Sequence, residues 1–351
     1  MTLFLLLSCG SGQQAANSGN PGTAGGEQQG VGSLSSVLME VGRSAENAFY
    51  SFLELLSDTL GFTAKSTTKK EDVGGYFNSL GAKLGDASEE LEQVAVKATA
   101  DLEKGDASKN PIRVAIDTAK TTLSILKGHL ESLGQVGDTN VVGYANNVQG
   151  TGTAPDDAQL KEMFRALKGI VEIATDVGVK ALQAGATTLT VNGVDNKDGA
   201  KILATSGGNP SATDAGKAAI ILAAVSGEEI LDSIVRAGES DAALTANADE
   251  NTTSLKFAKG GSDAHLSNSA NPKAAAVAGG IALRSLVKTG KLGAGAAANN
   301  AGGEKEVQDI GITAVNKLLV AVEDIIKKTV KNVLKTAKEK IDEVRSPKTA
   351  E

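Results

Sequence analysis

The chain has 351 residues, a formal net charge of −7, one cysteine and no tryptophan. That length suits one or two domains with a substantial core. The acidic balance argues against a nucleic-acid binder, one cysteine excludes an intramolecular disulfide, and no run nears the ~18 apolar residues of a membrane-spanning helix.

In chain order, the first element is the apolar run "LFLLLSCG" at 3–10. A lone cysteine is ordinarily a buried thiol. Here Cys9 follows Leu5, Leu6, Leu7 and Ser8 and precedes Gly10, Ser11 and Gly12, the pattern that ends a bacterial lipoprotein signal. Cleavage before Cys9 would leave its thiol and amino group to carry two or three acyl chains, each buried methylene contributing ~0.8 kcal/mol. Such signals open on a basic segment, and no Lys or Arg precedes Arg43, so the start is expected upstream of Met1 or the sequence begins inside the signal. Residues 10–32 are mainly Gly, Gln, Asn and Ser, with Glu27 the single charge. They cannot form a core and read as a tether spanning on the order of 25 Å.

Helical periodicity follows. Aromatics make up only 3% of the chain, so the core must come from Leu, Ile, Val and Ala, which suits packed helices. Residues 33–60 place Leu34, Leu38, Val41, Ala45, Ala48, Phe52, Leu55 and Leu56 on one face. Residues 69–103 carry a stripe from Val73 to Leu102. Asn110-Pro111 reads as a cap and first position of a helix with Ile112, Ile116, Ala119, Leu123, Leu126, Leu130 and Leu133 inward, closed by Gly134. The spacing predicts further helices over 156–184 and 211–237, a short strand or hairpin about Asn192-Gly193, and a buried small-residue helix after Asn271-Pro272. Residues 138–155, 186–212, 238–271 and 290–303 read as loops. The last and longest helix, 304–345, would be roughly 60 Å long.

Few residues invite a chemical reading. His129 reads as a helix-surface or boundary residue and His265 as a loop residue, and with two histidines and one cysteine a zinc site is not expected. No nucleophile motif occurs, "GNPSATDAGKAA" has the wrong spacing for a phosphate loop, and no calcium-loop pattern appears. We expect no cofactor, no metal and no enzyme activity. The last helix carries Lys328, Lys331, Lys335 and Lys338 on one face, flanked by Lys327 and Lys340. Two readings stay open: a solvated helix face, or a surface for anionic lipid or sulfated polysaccharide.

Several long segments carry a family resemblance: "TLFLLLSCGSG", "SLSSVLMEVGRSAENAFYSFLELLSDTLGFTAKSTTKKEDVGGYFNSLGAKL", "NPIRVAIDTAKTTLSILKGHLESLGQVGD", "GGIALRSLVKTGKL" and "AVNKLLVAVEDIIKKTVKNVLKTAKEKID". The chain resembles the variable large proteins of relapsing-fever Borrelia, related to the Vls expressed lipoprotein of Lyme spirochaetes. The resemblance covers essentially the whole chain.

It implies a mainly α fold, an elongated helical bundle with long irregular distal loops and at most a few short strands. It implies lipidation at Cys9, anchoring to outer-membrane lipid on the extracellular face, and antigenic variation concentrated in the four loop regions. Residues 1–8 are then a signal remnant, 9–32 the lipidated tether, 33–346 one helical domain and 347–351 a tail. Host antibodies are the expected partners. An adhesin binding glycosaminoglycan, plasminogen or complement factors through Lys327, Lys328, Lys331, Lys335, Lys338 and Lys340 is the alternative, and pairing of two copies through the amphipathic terminal helices stays open.

Overall fold

The computed structural model describes residues 60–99 and 110–345. The expected signal, Cys9, the tether, the helix over 33–60 and the C-terminal tail lie outside the described residues, apart from Leu60. The fold is mainly α. Helices α1 (Lys70–Thr99), α2 (Pro111–Leu133) and α3 (Asp157–Asp176) come first, then the antiparallel pair β1 (Thr190–Val191) and β2 (Val194–Asp195). A 3-10 turn (Lys197–Leu203) leads into β3 (Ala204–Ser206), followed by α4 (Asp214–Ala223), α5 (Gly227–Val235) and α6 (Ser254–Lys259). Strand β4 (Gly261–Ser262) lies parallel to β3, and α7 (Asp263–Leu266), α8 (Ala274–Leu286) and α9 (Glu304–Arg345) complete the order.

Helices α1, α2 and α9 begin within a residue of where the periodicity places them. Asn110 caps α2 by accepting from the amides of Ile112 and Arg113, with Pro111 at the first position. All seven expected stripe residues of α2 are buried. At 42 residues, α9 is about 63 Å long. It packs along α2, α3, α4, α5 and α8, so it unites the domain.

Two expected helices differ from the structure. The helix over 156–184 stops at Asp176, because Gly178 takes φ +81° and the amides of Gly178 and Val179 turn back to Thr175 O and Ala174 O. That is a Schellman end, which glycine adopts without a Cβ penalty. The helix over 211–237 is two helices. Ser226 Oγ accepts from the Glu229 amide at 3.2 Å and Glu229 accepts from the Ser226 amide at 2.7 Å, a capping box that starts α5 afresh. The hairpin matches: Asn192 (φ 51°) and Gly193 (φ 78°) form the turn between β1 and β2.

Helix α8 is the centre of the packing. All 13 of its residues are buried. It contacts α6 most closely, and its glycines set that approach: a Cβ on Gly280 would stand 2.6 Å from Phe257 Cβ and 3.1 Å from the Ala258 nitrogen. Gly280→Ala should therefore lower stability by about 2 kcal/mol through overpacking. Gly75→Ala, at an exposed α1 position with nothing within 4 Å, should raise it by a few tenths to ~1 kcal/mol. Thermal unfolding of both variants checks the pair; equal shifts would contradict the packing account.

Candidate functional site

The regions read as loops are neither free nor wholly polar. Within 238–271, Leu255, Phe257, Ala258 and Leu266 are buried, and His265 lies in the short helix α7. Within 186–212, Leu189, Ala200, Ile202, Leu203 and Ala204 are buried, as are Leu292 and Ala294 within 290–303. These correct the expectation of polar loops. The buried runs are too short to show a helical or strand period.

The loops meet one another through main-chain hydrogen bonds. Gly150 and Ala294 exchange both bonds, at 2.9 and 3.0 Å, and Thr153 and Lys291 do the same at 2.9 and 3.0 Å. The Gly152 amide reaches Ala204 O and the Gly293 amide reaches Ile202 O, both at 2.8 Å. Between these seams the side chains face solvent. Asn192, Gly193 and Val194 at the hairpin tip, Ser206 to Asn209, and most of 238–251 are exposed.

Scaffold side chains grip the rest, again by main-chain atoms. A helix leaves its last carbonyls unpaired. Asn332 of α9 donates to Val177 O, at the end of α3, at 3.1 Å. Lys317 of α9 donates to Leu222 O and Val225 O, at the end of α4, at 2.8 and 2.6 Å. Arg284 of α8 donates to Ala258 O at the end of α6, at 2.9 Å from Nε and 2.6 Å from Nη2. Lys70 of α1 donates to Val287 O and Gly290 O, past the end of α8, at 2.8 and 2.7 Å. Three of the four are cations set at the negative end of a helix dipole.

Helix α9 holds the entering segment the same way. Glu323 accepts from the amides of Gly61 and Phe62 at 3.1 and 3.2 Å. Asn316 both accepts from the Ala64 amide (2.8 Å) and donates to its carbonyl (3.1 Å). Gln308 donates to Ser66 O at 2.9 Å. Tyr76 stacks on Phe62 with ring centroids 4.9 Å apart and its hydroxyl donates a hydrogen bond to Glu323 Oε1. Burial and that bond push the Tyr76 phenol far above its usual range.

Burial shapes the two deepest cations. Arg284 is wholly buried, and desolvation pushes its guanidinium down to about 9. It stays charged at neutral pH, held by the α6 carbonyls. Lys70 is pushed down to about 8, first by burial, with Arg284 adding to the shift and Asp138 opposing it. Neither residue stood out in the periodic reading. The legible signal was a single arginine inside the otherwise uncharged run "AAAVAGGIALRSLV".

The lysines of the last helix lie where expected, on the surface of α9. Lys327, Lys328, Lys331, Lys335 and Lys340 are exposed and Lys338 is half-buried. Acidic residues dilute the stripe. Lys328 meets Asp324 at 2.6 Å, Lys335 meets Glu339 at 3.6 Å, Lys338 meets Asp342 at 2.7 Å and Lys340 meets Glu343 at 2.9 Å. Such exposed pairs add little stability but reduce the field an anionic ligand would meet. His129 is half-buried on α2 against Gly169, where a Cβ would stand 2.3 Å from the ring. Among the described residues, no group of three or more His, Cys, Asp or Glu side chains could hold a metal ion. No described helix is long and apolar enough to cross a membrane.

The profile of the Borrelia lipoprotein family matches residues 45–341, and the chain belongs to that family. It is 64% identical over 346 residues to Variable large protein 7 of Borrelia hermsii, covering 98% of this chain and 92% of that one. It is 63% identical over 352 residues to Variable large protein 21 of the same organism, covering 100% and 95%. Among solved structures, the Lyme disease variable surface antigen VlsE of Borrelia burgdorferi shares the fold with a TM-score of 0.63 at 24% identity, covering 89% of this chain and 99% of that one.

Lys70 gives a direct handle on the anchors. Its native pKa lies near 8 against an ordinary 10.5, so between those values the unfolded chain holds a proton that the native protein has released. Stability carried by this residue therefore rises with pH across that window, by up to ~1.4 kcal/mol per unit. The neutral amine still has two N–H groups for its two carbonyls. Chemical denaturation of wild type and Lys70→Met at pH 7.5 and 9.5 should show wild type gaining relative to the variant. Parallel curves would contradict a buried amine.

Proposed function

We propose that this protein is a surface-exposed, lipid-anchored antigen of the outer membrane, with acyl chains on Cys9 and an exposed loop face that differs between variants. Presentation of replaceable loops to host antibodies, and thereby immune evasion, is its role. Such a role needs no catalytic residue and no cofactor. The names of its relatives, variable large protein and variable surface antigen, support this reading.

One observation carries it. The scaffold grips its irregular segments by carbonyls and amides, which every residue has, so exposed side chains between the anchors can change while the hydrogen bonds persist. The adhesin reading has less support, because four of its six lysines meet carboxylates of the same helix.

Sequencing the expressed copy in bacteria from successive peaks of one infection tests the proposal. Substitutions should concentrate at exposed positions of 190–195, 206–209 and 238–251. Arg284, Lys70, Asn316, Lys317 and Glu323 should stay fixed. An expressed sequence that is constant from peak to peak would refute the variation role and turn attention to the lysine face.

A further inference from the structure

The connection from α3 to the β1–β2 hairpin is loosely held and, unlike the equally open stretch at 242–247, carries a basic residue. After the Schellman turn at Gly178 the chain runs as an irregular strap without assigned secondary structure until it reaches Thr188. Lys180, Ala181, Gln183, Ala184 and Ala186 are exposed, and Leu182 and Gly185 are half-buried. The main chain of this strap is almost unpaired. The Gln183 amide donates to Glu228 Oε1 at 3.0 Å, and Ala186 O accepts a long 3.5 Å bond from Lys273. The amides and carbonyls of Lys180, Ala181, Leu182, Ala184 and Gly185 have no partner among the described residues.

Other basic residues outside helices are closed off. Lys65 is locked in a turn, its carbonyl accepting from the Thr68 amide at 3.0 Å and its amide donating to Thr68 Oγ1 at 2.9 Å. Lys288 donates its amide to Val136 O and accepts from the Asp156 amide, both at 2.9 Å. Lys291 is paired on both sides with Thr153, Lys273 bridges Thr188, and Lys197 and Lys201 sit in the 3-10 turn. The Arg236 amide is held by Asp232 O at 3.1 Å.

On its carboxyl side Lys180 offers what a trypsin-like serine protease needs, and on its amino side only the two turn bonds of Gly178 and Val179 have to open. The substrate of such a protease enters extended and pairs through free main-chain groups, like a strand added to an edge. A basic side chain fills a carboxylate-floored pocket on the amino side of the broken bond. Helical or paired lysines must first be unfolded locally, which lowers their cleavage rate in proportion to how rarely they open.

We propose that the strap is a native-state processing site, at which a trypsin-like protease hydrolyses the Lys180–Ala181 bond. The C–N bond breaks, water supplies oxygen to the Lys180 carbonyl carbon, and the proton goes to the new amine of Ala181. The cut chain stays assembled. Bonds that cross the cut include Lys70 to Val287 O and Gly290 O, Asn332 to Val177 O, and the seam between 150–153 and 291–294.

The test is limited digestion of the full chain with trypsin at neutral pH, followed by mass spectrometry over time. Within 110–345, the first cut should follow Lys180. The nicked protein should run as one body on native gel filtration and as two fragments after denaturation. Lys180→Gln should slow the first cut in 110–345 by at least about tenfold, with an unchanged circular dichroism spectrum. A first cut after another lysine or arginine in that range would overturn the site. Separation of the fragments under native conditions would overturn the assembled product.

Discussion

A helix leaves its last carbonyls unpaired by its own turns, and this fold meets that constraint with side chains from elsewhere. Lys70, Arg284, Lys317 and Asn332 reach across to the ends of α8, α6, α4 and α3. Each bond adds about 1–3 kcal/mol, and its loss would strand a partly or wholly buried donor as well. Because the acceptors are main-chain atoms, the bonds are indifferent to the side chain of the residue gripped. The same holds for the amides that Glu323 and Asn316 take from Gly61, Phe62 and Ala64.

Two other features serve that arrangement. Small residues let α8 sit wholly inside the fold, close enough to α6 for Arg284 to reach its carbonyls without a carboxylate partner. Among the described aromatics, Phe164 and Phe257 are buried singly in α3 and α6. Phe62, Tyr76 and Phe77 cluster where the chain enters beside α9. Burial thus lies in aliphatic helix faces, while the exposed hairpin and the stretch 238–251 contribute little to it. A fold divided this way tolerates exchange of its outer side chains, as the proposed antigen role requires.

The sequence revealed the parts that obey a local rule. Asn110-Pro111 with its seven-residue stripe placed α2, Asn192-Gly193 placed the hairpin, and the long apolar repeat placed α9. Two more local signals were present but unread: Gly178 as a helix stop, and Ser226 with Glu229 as a capping box. The anchors were not legible, because nothing near Lys70 in sequence points to Val287, and nothing near Lys317 points to Leu222. The short buried runs at 202–204 and 255–258 have no period, since they are shorter than two turns and owe their burial to distant segments. The lysines of α9 stand out in the sequence, while their partners Asp324, Asp342 and Glu343 fall just outside the basic run.

The central claim is that the scaffold holds its loops by main-chain atoms. The most direct test transplants the exposed residues of 190–195, 206–209 and 238–247 from Variable large protein 7 into this chain, leaving every buried position unchanged. Thermal unfolding then compares the chimera with the parent. The account predicts midpoints within about 3 °C of each other, the scale of surface changes worth well under 1 kcal/mol. A fall of more than about 10 °C would mean that loop side chains carry the fold after all.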